Sequence, residues 1–183
     1  MSEPNLSGGI EYNPFELKHP TLAFLRDWWD EKRGMRSMPA RAELNPAEFR
    51  QHLSSLMTLE VLDCGRDFRH RIVGDDIADY FTWNPAGTTV REAFATQPKP
   101  LRDVVLAIYR AVVDRQQPVY AFGNPGWAAA GAERCDVLHV PLSGDGEDVG
   151  TILSAFVFNR REVRLGREMA RANGGELVQR PTG

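Results

Sequence analysis

Cys135 and His139 are the side chains of this 183-residue chain whose types and spacing come nearest to a reactive pair. They fall in the run Arg134 to Leu142. There Leu138, Val140 and Leu142 alternate with Cys135, Val137 and His139, so the run reads as a strand with both residues on one face. Four steps of extended chain hold them about 13 Å apart. A metal ion bound about 2 Å from each ligand cannot bridge that gap. The other histidines, His19, His52 and His70, form no helical His-x3-His pair and no His-Glu-x2-His arrangement, so no catalytic zinc site is expected.

Nucleophilic and phosphate chemistry find no better footing. No Gly-x-Ser-x-Gly elbow occurs, and neither Cys64 nor Cys135 has an evident base in sequence. The two thiols lie far apart and make no Cys-x-x-Cys pair, so they read as unrelated cysteines in a reducing compartment. Gly123-Asn124-Pro125-Gly126 lacks the Gly-Lys-Ser/Thr ending of a phosphate loop and reads as an ordinary loop. Asp75-Asp76 and Asp145-x-Glu147 are paired acids that a helix N-terminus and a hairpin tip account for without chemistry.

The elements that would position such residues are clearer than the residues themselves. Met57, Leu59 and Val61 share one face of a first strand, Asp63 to Asp67 supply a turn, and Phe68, His70 and Ile72 share one face of a second. Gly74 ends this hairpin and Asp75 to Phe81 open a short helix. Upstream, Leu22, Leu25 and Trp29, widened by Phe24 and Trp28, form the apolar stripe of a helix from Thr21 to Arg33 that Gly34 stops. That stripe covers either the chain's own sheet or a second subunit. Asn45-Pro46-Ala47-Glu48 has the spacing of a capping box. Asn84 to Gly87 is a turn, and Val90 to Phe94 reads as a brief helical piece. The longest helix spans Leu101 to Arg115, with Leu101, Val104, Val105, Ile108 and Val112 on one side. Three strands then follow, Val119 to Gly123, Arg134 to Leu142 and Val149 to Phe158, the last two joined as a hairpin by Ser143-Gly144-Asp145-Gly146. The loop Asn124 to Gly131 is Gly- and Ala-rich around Trp127.

Composition bounds the partners. With 42% hydrophobic and 26% charged residues the chain suits one core, and 22 basic against 25 acidic side chains leave a formal charge of −3. Such a chain has no overall positive field for nucleic acid. No window approaches the roughly 20 apolar residues of a membrane span. The opening Met1-Ser2-Glu3-Pro4-Asn5 lacks the basic and apolar regions of a secretory signal, so the cytoplasm is the expected compartment.

The order of helix, hairpin, short helices, long helix and three strands fits an α+β fold, a five-stranded antiparallel sheet with helices on one face. At this point the chain resembles a PAS domain, and within that superfamily the bacterial PAS-like group called PAS_5. The residues that carry the resemblance are Trp28 or Trp29 with Arg33-Gly34, Pro39-x-Arg41, Asn45-Pro46, Leu59-Glu60-Val61, Phe68-Arg69-His70-Arg71-Ile72-Val73-Gly74 and Asn84-Pro85-Ala86-Gly87. One departure is Ser54-Ser55, where the family is expected to carry a proline before the first strand. The likeness covers about Thr21 to Phe158. It divides the chain into a flexible lead (1–19), a PAS-like domain with its N-terminal helix (20–159) and a peripheral tail (160–183).

The resemblance implies a non-catalytic sensory, regulatory or protein-interaction module, acting as a homodimer or with a signalling partner. Haem is disfavoured, since the Leu101 to Arg115 helix offers no axial histidine, and cysteinyl-flavin photochemistry fails because Asp79-Tyr80-Phe81-Thr82 holds no thiol. A concave sheet under short helices can enclose an apolar cavity, and Ile77, Tyr80, Phe94, Val105, Tyr109 and His139 are placed near it. A core filled by side chains, with no ligand, is the alternative. Leu22, Leu25, Trp28 and Trp29 are the candidate interface. Arg33, Arg41, Arg69 and Arg71 are suited to carboxylate contacts or to plain surface exposure. Two rival functions remain: an enzyme with His139 or Asp136 as its base, and a structural adaptor anchored by Trp28 and Trp29.

Overall fold

Alternating apolar residues build the sheet, and 3.6-residue periodicity builds the helices laid on it. The computed structural model describes residues 8–81, 83–123, 132–144 and 147–160. In chain order its elements are β1 (Gly8–Tyr12), α1 (Pro20–Arg33), β2 (Leu56–Leu62), β3 (Asp67–Val73), α2 (Asp75–Phe81), α3 (Val90–Ala93), α4 (Lys99–Arg115), β4 (Val119–Gly123), β5 (Ala132–Ser143) and β6 (Val149–Arg160), with short 3-10 turns between α1 and β2 and inside the β2–β3 hairpin. The loop around Trp127, the tip at Asp145-Gly146 and the tail from 161 lie outside the described residues.

Every strand pairing is antiparallel, in the order β1-β4-β5-β6-β2-β3. The expected five strands are therefore corrected to six, because part of the segment read as a flexible lead pairs with β4 from Gly8↔Gly123 to Tyr12↔Val119. Gly8-Gly9-Ile10-Glu11-Tyr12 alternates only at Ile10 and Tyr12, both exposed, so its strand character comes chiefly from main-chain pairing and from glycine's tolerance of close approach. A Cβ on Gly8 would collide with the carbonyl oxygen of Phe122.

The β5–β6 hairpin divides the interior in two. Cys135↔Phe158, Val137↔Phe156 and His139↔Ser154 lie on one face, and Asp136↔Val157, Leu138↔Ala155 and Val140↔Leu153 on the other. On the first face α4 crosses β3, β4, β5 and β6, with Tyr109 edge-on to both Phe68 and His139. Arg110 donates from Nε to the Gly65 carbonyl at 3.2 Å, tying the same helix to the β2–β3 turn. On the other face α1 contacts β5 and β6, and Trp29 Nε1 donates to the Pro141 carbonyl at 2.8 Å.

Local chemistry fixes where these helices begin and end. His19 Nδ1 accepts from the Thr21 amide, Pro20 occupies the first turn, and Gly34 takes φ 53° to stop α1. Thr89 and Glu92 form a complete capping box on α3. At Asn45 the side chain does accept from the Ala47 amide, but Glu48 does not complete the expected box. Its carboxylate instead accepts from Trp28 Nε1 at 2.9 Å and from Lys32 at 2.8 Å, locking the 3-10 turn onto α1.

Candidate functional site

The space between α4 and the sheet is not completely filled. A pocket of about 290 Å³ remains, walled by Leu101, Val105 and Tyr109 of α4, by Val137 and His139 of β5, and by Phe156 of β6. Phe81 and Phe94 close it from the short helices, and Gly8 to Ile10 of β1 form its outer edge. The α4 residues arrive there because positions 101, 105, 108 and 109 fall on one helical face, and the β5 residues because alternate strand positions share a side.

Two polar side chains stand in this apolar lining. His139 Nδ1 lies 2.7 Å from Ser154 Oγ, its partner across the hairpin. Burial drives its pKa down to about 3, so the ring is neutral at physiological pH and a feeble proton acceptor. Tyr109 is pushed the other way, mainly by burial with a contribution from Cys135, and stays a phenol. Burial pushes the Cys135 thiol itself up to about 12, which leaves it unreactive as a nucleophile. Cys135 and His139 do share one pocket face, as their alternation demands, but among the described residues no cluster of His, Cys, Asp or Glu could hold a metal ion.

Four of the six residues placed near a cavity from the sequence line it: Phe94, Val105, Tyr109 and His139. Ile77 and Tyr80 do not. Ile77 is wholly buried in the core, and Tyr80 stacks on Phe158 with ring centroids 3.9 Å apart. Helical spacing puts both inside without saying which part of the interior they fill. Sequence reasoning missed Ser154, although hairpin arithmetic could have found it. The signal was obscured because the register shifts at Leu142/Ser143.

Asp136 faces away from the pocket. Burial raises its pKa, but hydrogen bonds from Arg134 and Tyr120 outweigh that and hold the carboxyl below its usual range. Arg134 reaches it from Nε and Nη2, each at 2.8 Å, and Tyr120 donates its hydroxyl to the same carboxylate. Asp136 is thus bound on the opposite sheet face from His139 and cannot act with it as a base.

The candidate interface residues are also accounted for. Leu22, Leu25, Trp28 and Trp29 are all buried within the chain, so the α1 stripe covers its own sheet and is not free for a second subunit. Of the arginines singled out, Arg33 pairs with Asp30 at 3.0 Å and lies over the Trp29 ring, Arg71 pairs with Glu60 at 3.1 Å, Arg69 stands 4.0 Å from the same carboxylate, and Arg41 belongs to a 3-10 turn.

His70 supplies the local reason for one further motif. Its amide and Nδ1 both meet the Thr88 carbonyl, at 2.9 and 3.0 Å, and its own carbonyl accepts from the Gly87 amide. The Asn84 to Gly87 turn is therefore pinned to β3. With the helix, the hairpin and this turn in place, the family comparison is decisive: a model described as a PAS domain, PAS_5, matches residues 17–157. The chain belongs to this PAS family.

Solved structures that show some likeness to this chain include the PAS domain of BvgS from Bordetella pertussis. It is 14% identical, with a TM-score of 0.49 over 71% of this chain and 98% of that one. Another is an RNA-binding light-oxygen-voltage receptor, 11% identical, with a TM-score of 0.47 over 94% of this chain and 44% of the receptor. No curated protein sequence matches. PAS domains are generally sensory or regulatory modules. Where the family is expected to carry a proline, the Ser54 and Ser55 hydroxyls both donate to Asp76 Oδ2, at 2.7 and 3.0 Å, tethering the start of β2 to the first turn of α2. No helix among the described residues is long and apolar enough to cross a membrane.

Proposed function

We propose that this chain is a non-catalytic cytoplasmic regulatory module in which occupancy of the pocket under α4 changes how α1 is presented to a second copy or a signalling partner. The observation that carries this reading is the double use of β5. Val137 and His139 wall the pocket, while Leu138 and Val140, one residue on from each, are buried on the face α1 covers. A ligand that moves β5 by a fraction of an ångström therefore acts on both layers, since close-packed interiors transmit displacement. Its effect is limited by its differential affinity for the two arrangements. Because the stripe of α1 is buried, the surface a partner would meet is the outer side of that helix, at Asp27 and Glu31.

Hydrogen exchange tests the coupling. Val105→Phe, which fills the pocket from the α4 side, is expected to alter amide exchange in residues 20–33 as well as around the substitution. Exchange in α1 identical to that of the parent protein would sink the proposal.

A further inference from the structure

The pocket's lining is chemically one-sided. None of the described residues that wall it is Asp, Glu, Lys or Arg. The groups that could ionise, Tyr109, Cys135 and His139, are all kept neutral by burial. His139 commits Nδ1 to Ser154, so its Nε2 and the Tyr109 hydroxyl are the polar tips this lining offers a ligand. Size sets the other limit: about 290 Å³ is roughly twice the ~150 Å³ cavity that holds a benzene in an engineered protein core.

We infer that the pocket takes an uncharged, mainly apolar molecule of one or two rings, anchored by a single neutral hydrogen bond to His139 or Tyr109. This rests on the pocket being a ligand site, as proposed above. A carboxylate or phosphate placed at those polar tips would lose its hydration and meet no cation, which costs far more than a neutral group loses. Turned towards the mouth, where Ile10 and Val104 are partly exposed, it would keep its water but lose the anchor.

Binding of 1-naphthylmethanol and of 1-naphthoate at pH 7.5, by calorimetry on the full chain, separates the classes. The alcohol is expected to fill one site, with the carboxylate about a hundredfold weaker. Val105→Phe, with its fold checked by circular dichroism, is expected to abolish alcohol binding. Carboxylate binding as tight as the alcohol's, or alcohol binding unaffected by Val105→Phe, overturns the inference while leaving a ligand site intact. If neither compound binds, native mass spectrometry of freshly purified protein decides. A neutral bound compound supports the inference, a bound anion overturns it alone, and an empty protein overturns the ligand site with it.

Discussion

His139 sits directly opposite Ser154 across the β5–β6 ladder, its Nδ1 2.7 Å from the serine Oγ, with both side chains buried. A buried neutral imidazole makes stability depend on pH with a definite sign. Unfolded, the ring titrates near ~6.5; folded, it does so at about 3. Between those values the unfolded chain binds the extra proton, so stability is complete above the upper value and drains as pH falls towards the lower. Burial also lowers the pKa of His70, against a raising hydrogen bond to Thr88, and this adds to the slope. For His139 the slope reaches about 1.4 kcal/mol per pH unit in the middle of its window. Urea unfolding at pH 7 and pH 5 should therefore differ by about 2 kcal/mol from His139 alone. His139→Gln should flatten the dependence, and equal slopes in variant and parent would count against a buried neutral ring.

Trp29 is the main-chain anchor of α1 on the sheet, through its indole N–H to the Pro141 carbonyl. Trp29→Phe keeps most of the apolar area but leaves that carbonyl unsatisfied in a buried position, at a cost of about 1–3 kcal/mol. The Arg33 guanidinium, 5.1 Å from the ring centroid, keeps an aromatic face in the variant. A melting temperature unchanged from the parent would show that the hydrogen bond contributes nothing net.

How much of this was legible in the sequence depends on which force forms each part. Strands β2, β3 and β5 and helix α4 declare themselves by apolar period, and period alone correctly puts Val137 and His139 on one face and Leu138 on the other. Strand β1 was illegible because main-chain pairing, not side-chain pattern, holds it, and its residues are mostly exposed. The role of Glu48 was misread for a different reason. Its spacing satisfies a capping box, but a tertiary donor, Trp28, lies twenty positions away in sequence and wins the carboxylate. Among the candidate pocket residues, Tyr80 and Ile77 show the limit of periodicity: it assigns a residue to the interior without locating it there.

Gly74 follows the end of β3 and lies against the 3-10 turn Leu53–Ser55 that leads into β2. A Cβ there would collide with the carbonyl oxygens of Leu53 and Ser54, both main-chain atoms that cannot rotate away. The Gly74 amide also donates to the Leu56 carbonyl at 2.8 Å, which extends the β2–β3 ladder by one step and holds the glycine against the turn. Gly74→Ala is expected to destabilise by about 1–3 kcal/mol through overpacking, read from the shift in denaturant midpoint with unchanged slope. A midpoint within error of the parent's would show that the turn before β2 relaxes freely around the added methyl.

The outer wall of the pocket is its most detachable part. Strand β1 is an edge strand, and beyond the ladder to β4 it is held chiefly by Arg115 lying 3.8 Å from the Tyr12 ring centroid and by the Asn13 amide donating to Pro118. Gly8→Val puts side-chain atoms into the Phe122 carbonyl, so the first ladder positions should open while the β4–β5 and β5–β6 pairings stay intact. Because Gly8 to Ile10 line the pocket, the same change should let solvent and ligand exchange faster across it. Amide exchange in residues 119–123 is expected to quicken at least about tenfold, with global unfolding free energy altered by less than about 1 kcal/mol, as befits a locally opening edge. A loss of global stability equal to the local one would instead make β1 part of the cooperative core rather than a wall that opens on its own.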